Sequence, residues 1–292
     1  MAMRNEVAFL ILLSLGALAG ASRAATPAQH VQVPLSDPAK PAHLKVSLVM
    51  GSITVEGAAV NAVDIAVSGR DEDEDSDGAP DAPAIAIVGG SHRERERSHE
   101  GLRRLPNLGG GIDAVEENNV VTVSSRAVTH PLDLRIQVPA GSSITLSTVN
   151  DGQVTVKNVT GELELHNTNG DVTAEGVRGP VTASTVNGDV RVVFAGPVAS
   201  EPMAFSTLNG DVDVSFPPDL KATVRLRSDN GDLYSDFEIA LDSRAGAVEE
   251  QRDGRRHRLE LGRDLVGRIN GGGPEILFKT FNGDVMLRKL KP

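Results

Sequence analysis

The stretch Ser184-Thr185-Val186-Asn187-Gly188-Asp189-Val190-Arg191-Val192 contains the tetrapeptide that organises the second half of this chain. Asn-Gly-Asp-Val recurs at 169–172, 209–212 and 282–285. Asn230-Gly231-Asp232-Leu233 is a conservative variant, and Asn150-Asp151-Gly152 inverts the order. Starting from Asn150, successive asparagines follow at intervals of 19, 18, 22 and 21 residues. A period of about 20 residues marks a repeat architecture, in which one unit is too small to stand alone.

Around these tetrapeptides lie short runs such as Leu132 to Val138, Ile144-Thr145-Leu146, Val154-Thr155-Val156, Leu163-Glu164-Leu165 and Val212-Asp213-Val214. Apolar and polar residues alternate in them with the period of a half-buried strand, and the chain reads as all-β. Asn-Gly tolerates positive φ and makes a sharp turn. Between alternating strands it is also a hairpin signal, which would give an antiparallel meander or sandwich. The alternative is a β-helix or β-solenoid-like stack of rungs, each about 20 residues long. The stack is favoured because the residues ahead of each turn repeat as well: Ser147-Thr148, Ser184-Thr185 and Ser206-Thr207, with Thr168 and Thr280 matching one position. Like stacking on like from rung to rung accounts for this. A rung burying three or four aliphatic side chains gains about 5–10 kcal/mol gross, against a backbone ordering cost of about 1–2 kcal/mol per residue. Stability therefore needs the stack.

Residues 1–24 have the layout of a secretory signal: Arg4, an apolar stretch from Val7 to Leu18, and small residues at Ser22 and Ala24. The expectation is an exported protein, periplasmic or extracellular, with a single domain over 25–292 and no later membrane span. Cysteine is absent, which excludes disulfides, lipid attachment through a thiol and a thiol nucleophile. Loss of Arg4 and Arg23 against Glu6 takes the formal charge from -11 to -12. With pI near 5.1, no Trp and one Tyr, the chain lacks the basic surface and stacking groups that nucleic acid demands.

Two segments interrupt the pattern. Residues 70–118 carry the acid run Asp71 to Asp77, the mixed run His92 to Arg97 and Gly109-Gly110-Gly111, and read as a flexible charged insertion. The 52 residues from Asn230 to Asn282 leave room for two or three rungs and hold Arg252, Arg255, Arg256, Arg258, Arg263 and Arg268. A solvated loop or edge strand is expected there.

Three stretches together resemble the bacterial β-strand-repeat "putative adhesins", a family classed as a domain of unknown function. They are LRIQVPAGSSITLSTVN at 134–150, the STVNGDV rungs, and GGGPEILFKTFNGDVMLRK at 271–289, with a fainter echo in LKVSLVMGSITVEG at 44–57. The resemblance implies an exported, right-handed β-helix-like solenoid. It implies no mechanism.

The residues of sharpest chemical interest are the repeated aspartates Asp171, Asp189, Asp211, Asp232 and Asp284. Stacked about 4.8 Å apart, their carboxylates repel by about 1 kcal/mol in water and more near protein. The structural expectation is that each accepts a hydrogen bond from its own turn; the functional one is a calcium ladder. Asp73, Asp75 and Asp77, ahead of Gly78, open like a calcium loop, but Ala84 stands where a bidentate Glu belongs. No enzyme motif is present, and the seven histidines (30, 43, 92, 99, 130, 166, 257) are scattered. The reading is a non-enzymatic envelope module that binds a surface polymer or protein and needs no cofactor. The alternatives are a periplasmic sensor and a polysaccharide-active enzyme, the latter requiring acids to converge near Arg191 and Arg225.

Overall fold

The computed structural model describes residues 29–69, 112–125, 131–150, 152–198, 200–242, 249–253, 256–260 and 264–290. The signal expected over 1–24, the Asp73, Asp75 and Asp77 run, and the insertion as far as 111 lie outside them. Among the described residues there are 23 strands and no helix; none is therefore a helix long and apolar enough to cross a membrane.

The first strands are β1 (Gln29–Pro34), β2 (His43–Met50), β3 (Ile53–Ala58), β4 (Ala62–Gly69), β5 (Ile112–Glu117), β6 (Val120–Ser125) and β7 (Leu132–Pro139). The repeats follow as β8 (Ser143–Asn150), β9 (Val154–Lys157), β10 (Leu163–Asn167), β11 (Val172–Val177), β12 (Val181–Ser184), β13 (Val190–Phe194), β14 (Met203–Ser206), β15 (Val212–Phe216), β16 (Ala222–Asn230) and β17 (Leu233–Ser235). After them come β18 (Ala240–Leu241), β19 (Glu249–Asp253), β20 (Arg256–Glu260), β21 (Leu265–Ile269), β22 (Glu275–Asn282) and β23 (Val285–Lys289).

Each repeat gives one strand to each of two sheets. β8, β10, β12 and β14 run side by side in an eleven-stranded sheet, and β9, β11, β13 and β15 in a ten-stranded one. Every neighbouring pair among them is parallel, with Leu163, for example, aligned to Ile144 on one side and Val181 on the other. Parallel registers exclude the meander. The fold is a β-solenoid-like stack, flattened into two facing sheets, as the spacing of the tetrapeptides predicts.

Two rungs are out of chain order. The rung β2–β3 stacks on β8–β9 and, by its other edge, on β6–β7. The rung β22–β23 enters between β14–β15 and β16–β17. Both terminal rungs are thus enclosed within the stack. The faint echo at 44–57 is the first of them, and the closing stretch at 271–289 contains the second. Antiparallel strands finish the ends: β4 on β7, β1 on β4 and β5 on β6 at one end, and β21 on β16 with β18 on β21 at the other. Among its described residues, the segment 231–281 holds β17, the capping strands, the β19–β20 pair and the start of β22 rather than a run of further rungs. Likewise, residues from Ile112 onward, within the stretch read as insertion, are already sheet.

The core lies between the sheets. Alternate strand residues such as Val190, Val192, Val212, Val214, Val285 and Leu287 are fully or almost fully buried. Between β13, β14, β15 and β22 four phenylalanines fill the core: Phe194 stacks on Phe216 with centroids 4.9 Å apart, and Phe205 on Phe278 at 5.3 Å. Phe216 meets both Phe205 and Phe278 edge-on at 6.3 Å. Such pairs add about 0.5–1.5 kcal/mol each beyond area burial. Four of the chain's seven phenylalanines are spent here, on structure.

Candidate functional site

Along the repeats, the crossings from the eleven-stranded to the ten-stranded sheet after β8, β10, β12, β14, β16 and β22 are made by the Asn-Gly-Asp tripeptide or its equivalent, and these corners superpose along one edge of the stack. Rungs lie about 4.8 Å apart. That spacing suits a short amide or carboxylate reaching its copy on the next rung, and each position of the corner forms its own ladder.

The asparagines form the most regular one. Nδ2 of Asn169 donates to Oδ1 of Asn150, Asn187 to Asn169 and Asn209 to Asn187, each at 2.8 Å. The enclosed C-terminal rung continues it, Asn282 donating to Asn209 at 2.7 Å and Asn230 to Asn282 at 3.0 Å. An amide has a donor and an acceptor on opposite sides, so one residue type propagates without end.

The aspartates behave differently from the expectation that each binds its own turn. Oδ1 of Asp171 accepts the backbone N–H of Asp189 at 2.9 Å, Asp189 that of Asp211 at 2.8 Å, Asp211 that of Asp284 at 2.8 Å, and Asp284 that of Asp232 at 2.8 Å. The bond runs between rungs because the carboxylate projects along the stack toward the adjacent corner. An N–H donor at four of the five carboxylates offsets part of the like-charge repulsion. Among the described residues no group of three or more His, Asp or Glu side chains is arranged to hold a metal ion.

Two residues before each Asn, a hydroxyl anchors the corner. Thr185 Oγ1 donates to the Gly170 carbonyl at 2.9 Å, Thr207 to Gly188 at 2.8 Å, Thr280 to Gly210 at 2.9 Å, Thr148 to Gly51 at 3.2 Å and Ser228 to Gly283 at 2.9 Å. This explains the repeated Thr. It also corrects one alignment: Asn167, not Thr168, holds the place, its Nδ2 donating to the Gly152 carbonyl at 2.9 Å.

The residue between that Thr and the Asn points outward, and here sequence reasoning missed a feature. Val149, Val186, Leu208 and Phe281 occupy this place, and the alignment of Met50 with Asn150 puts Val49 there too. All five are exposed, at 38–46%. Only Thr168 interrupts the column before Asp229 ends it. The signal was legible in STVN, STLN and KTFN: alternation makes the residue after the buried Thr face solvent, yet it is apolar. The corner thus presents three parallel columns, apolar, amide and acidic.

Charge accumulates at the acidic column. The phenol of Tyr234 is held above its ordinary value by the carboxylates of Asp232, first, and Asp284, and its hydroxyl donates to Asp232 Oδ2 at 3.3 Å. Elsewhere the side chains pair locally. His166 contacts Ser184 Oγ at 2.7 Å and Glu164 at 3.2 Å, while Arg225 and Arg227 engage Glu275, Asp229 and Asp264. Arg191 lies on β13 and Arg225 on β16, in different sheets. The two arginines therefore do not meet; acids do gather at Arg225, where Glu275 and Asp264 form ion pairs with it.

A family model described as Toastrack DUF4097 matches residues 107–258. No curated protein matches the chain. Among solved structures, a Clostridium sporogenes "putative cell adhesion protein" aligns with 90% of this chain and 100% of its own at 9% identity and a TM-score of 0.45. A Bacteroides fragilis "putative adhesin" aligns with 91% and 98% at 10% identity and a TM-score of 0.41. A Parabacteroides distasonis "putative lipid binding protein" covers the same shares at 6% identity and a TM-score of 0.26.

Proposed function

Because this chain belongs to the Toastrack DUF4097 family, we propose that it is an exported, non-enzymatic module of the cell envelope that binds an envelope polymer or protein through its Asn-Gly-Asp edge. The observation that carries this reading is the three-column edge, repeated without a break in its amide ladder from Asn150 to Asn230. A linear surface with one chemistry per column suits extended contacts of modest strength, multiplied by repetition, rather than a turnover site. Export is supported by the signal layout of residues 1–24. The test has two parts. Fractionation of cells expressing the tagged chain should place it outside the cytoplasm with Ala25 as its first residue. The purified chain should also co-sediment with an isolated envelope fraction, and Leu208→Ser with Phe281→Ser should reduce that association. A chain retained unprocessed in the cytoplasm, or one that ignores the envelope fraction, would overturn the reading.

A further inference from the structure

The three columns differ in what they leave unsatisfied. The amides of the asparagines are used between rungs, whereas the apolar side chains touch solvent and the aspartates hold net negative charge. Val49, Val149, Val186, Leu208 and Phe281 make up half of the exposed large apolar side chains among the described residues. Their concentration in one register column is therefore a feature of the edge and not scattered exposure. The acidic column lies three residues further along each corner, at most about 10 Å away by chain reach. An occupant must cover a narrow apolar stripe and bring positive charge to one flank of it.

A second copy of the chain fits poorly. Five side chains less than half exposed offer about 300–400 Å² even when fully covered, against about 800 Å² per partner in a stable protein pair. Each copy also carries a formal charge of -11, and the aspartate columns would repel. A slender cationic segment fits both constraints. Its conformation follows from periodicity: an α-helix advances about 5.4 Å per turn, against a rung spacing of about 4.8 Å, so turns and rungs drift apart by only about 0.6 Å at each step. A strand repeats on one face only every 6.6–6.8 Å or so and falls out of step at once.

Taking the edge as the working surface, as above, we propose that it docks a cationic amphipathic helix of a partner polypeptide, laid along the stack. The helix places its apolar stripe on the Val149, Val186, Leu208 and Phe281 column and its Lys or Arg flank over Asp171, Asp189, Asp211 and Asp284. The six rungs from Val49 to Phe281 span about 24 Å, the length of about 16 helical residues. This is the helix-in-groove mode with a ladder in place of a groove.

The test uses a labelled synthetic Leu/Lys helix of about 18 residues and a scrambled peptide of the same composition, titrated with the purified chain by fluorescence anisotropy. The amphipathic peptide should bind and gain helical circular dichroism, and the scrambled one should bind about tenfold more weakly. Leu208→Ser with Phe281→Ser should weaken binding about tenfold at any salt. Asp189→Asn with Asp211→Asn should weaken it at low salt and flatten its salt dependence. An asparagine oxygen still accepts the neighbouring N–H, so the second pair preserves the ladder. If the first pair loses its melting transition, Phe281→Ser alone serves. Equal binding of the scrambled peptide, indifference to both pairs, absence of binding, or self-association of the chain through this edge would overturn the proposal. Envelope association that persists while peptide binding fails sinks the helix proposal alone. Cytoplasmic retention sinks the functional reading and leaves the peptide result standing.

Discussion

At Gly210 the backbone φ is 143°, and a Cβ there would press on the Gly188 carbonyl oxygen of the rung below. Gly210→Ala therefore meets two penalties, strained backbone and a backbone clash, and should cost about 2–4 kcal/mol in denaturant unfolding. Asn167 presents the opposite case. It takes the anchoring place that Thr holds on neighbouring rungs, but its Oδ1 is buried without a protein partner. Asn167→Thr should keep the bond to the Gly152 carbonyl, remove the orphaned oxygen and raise stability by about 1 kcal/mol, seen as a higher unfolding midpoint. Tyr234 gives a direct readout of the acidic column, because it is the chain's one tyrosine and no tryptophan obscures it. Its phenol should ionise above the ordinary value of 10.0, and Asp284→Asn should bring the ultraviolet titration back toward it. An unshifted titration in the parent would mean that the carboxylates do not sum along the stack.

Among elements, the cap formed by β5 should respond to acid through one carboxylate. The carboxylate of Glu116 accepts from Ser36 Oγ at 3.0 Å, from the Asn119 N–H at 2.9 Å and from the Ser36 N–H at 3.1 Å. The Ser36 hydroxyl, foremost, holds its pKa below the usual 4.5. A depressed carboxylate stabilises the fold fully above its unfolded value and loses that contribution as pH falls below about 4.5. Hydrogen exchange at β5 and β6 should accelerate over that window, and Glu116→Gln should remove this part of the acid response. The elements also show what the sequence could and could not reveal. The repeated rungs were legible because a ladder needs the same residue at each step, and a repeated residue is visible as spacing. The direction of the aspartate bonds was not, since a carboxylate at a turn has two N–H groups within reach and only the stacked geometry selects between them. The enclosed β2–β3 rung was nearly silent. Met50-Gly51-Ser52 replaces the tripeptide there, and its partners on β7 and β8 lie more than 70 residues away.

For the whole molecule, enclosure changes how stability is distributed. A linear repeat protein loses end rungs independently, each bound to one neighbour. Here the rung nearest the C-terminus has a neighbour on both sides in both sheets, and the rung β16–β17 depends on it. Truncation after residue 264 should therefore expose two rungs at once and collapse the transition, with a fall in midpoint far beyond the loss of one rung. Retention of a sharp, slightly lowered melt would show that β14–β15 and β16–β17 can close directly on each other. The same enclosure has a mechanical side. Tension on the C-terminus falls first on β23, which must shear past parallel strands on both flanks before anything yields. Tension on the N-terminus, once β1 has peeled from its edge, reaches a rung held in the same way. A solenoid stacked in chain order would pay out one rung at a time under load and lengthen; this one resists as a block, the behaviour required of a coupling whose two ends are pulled apart.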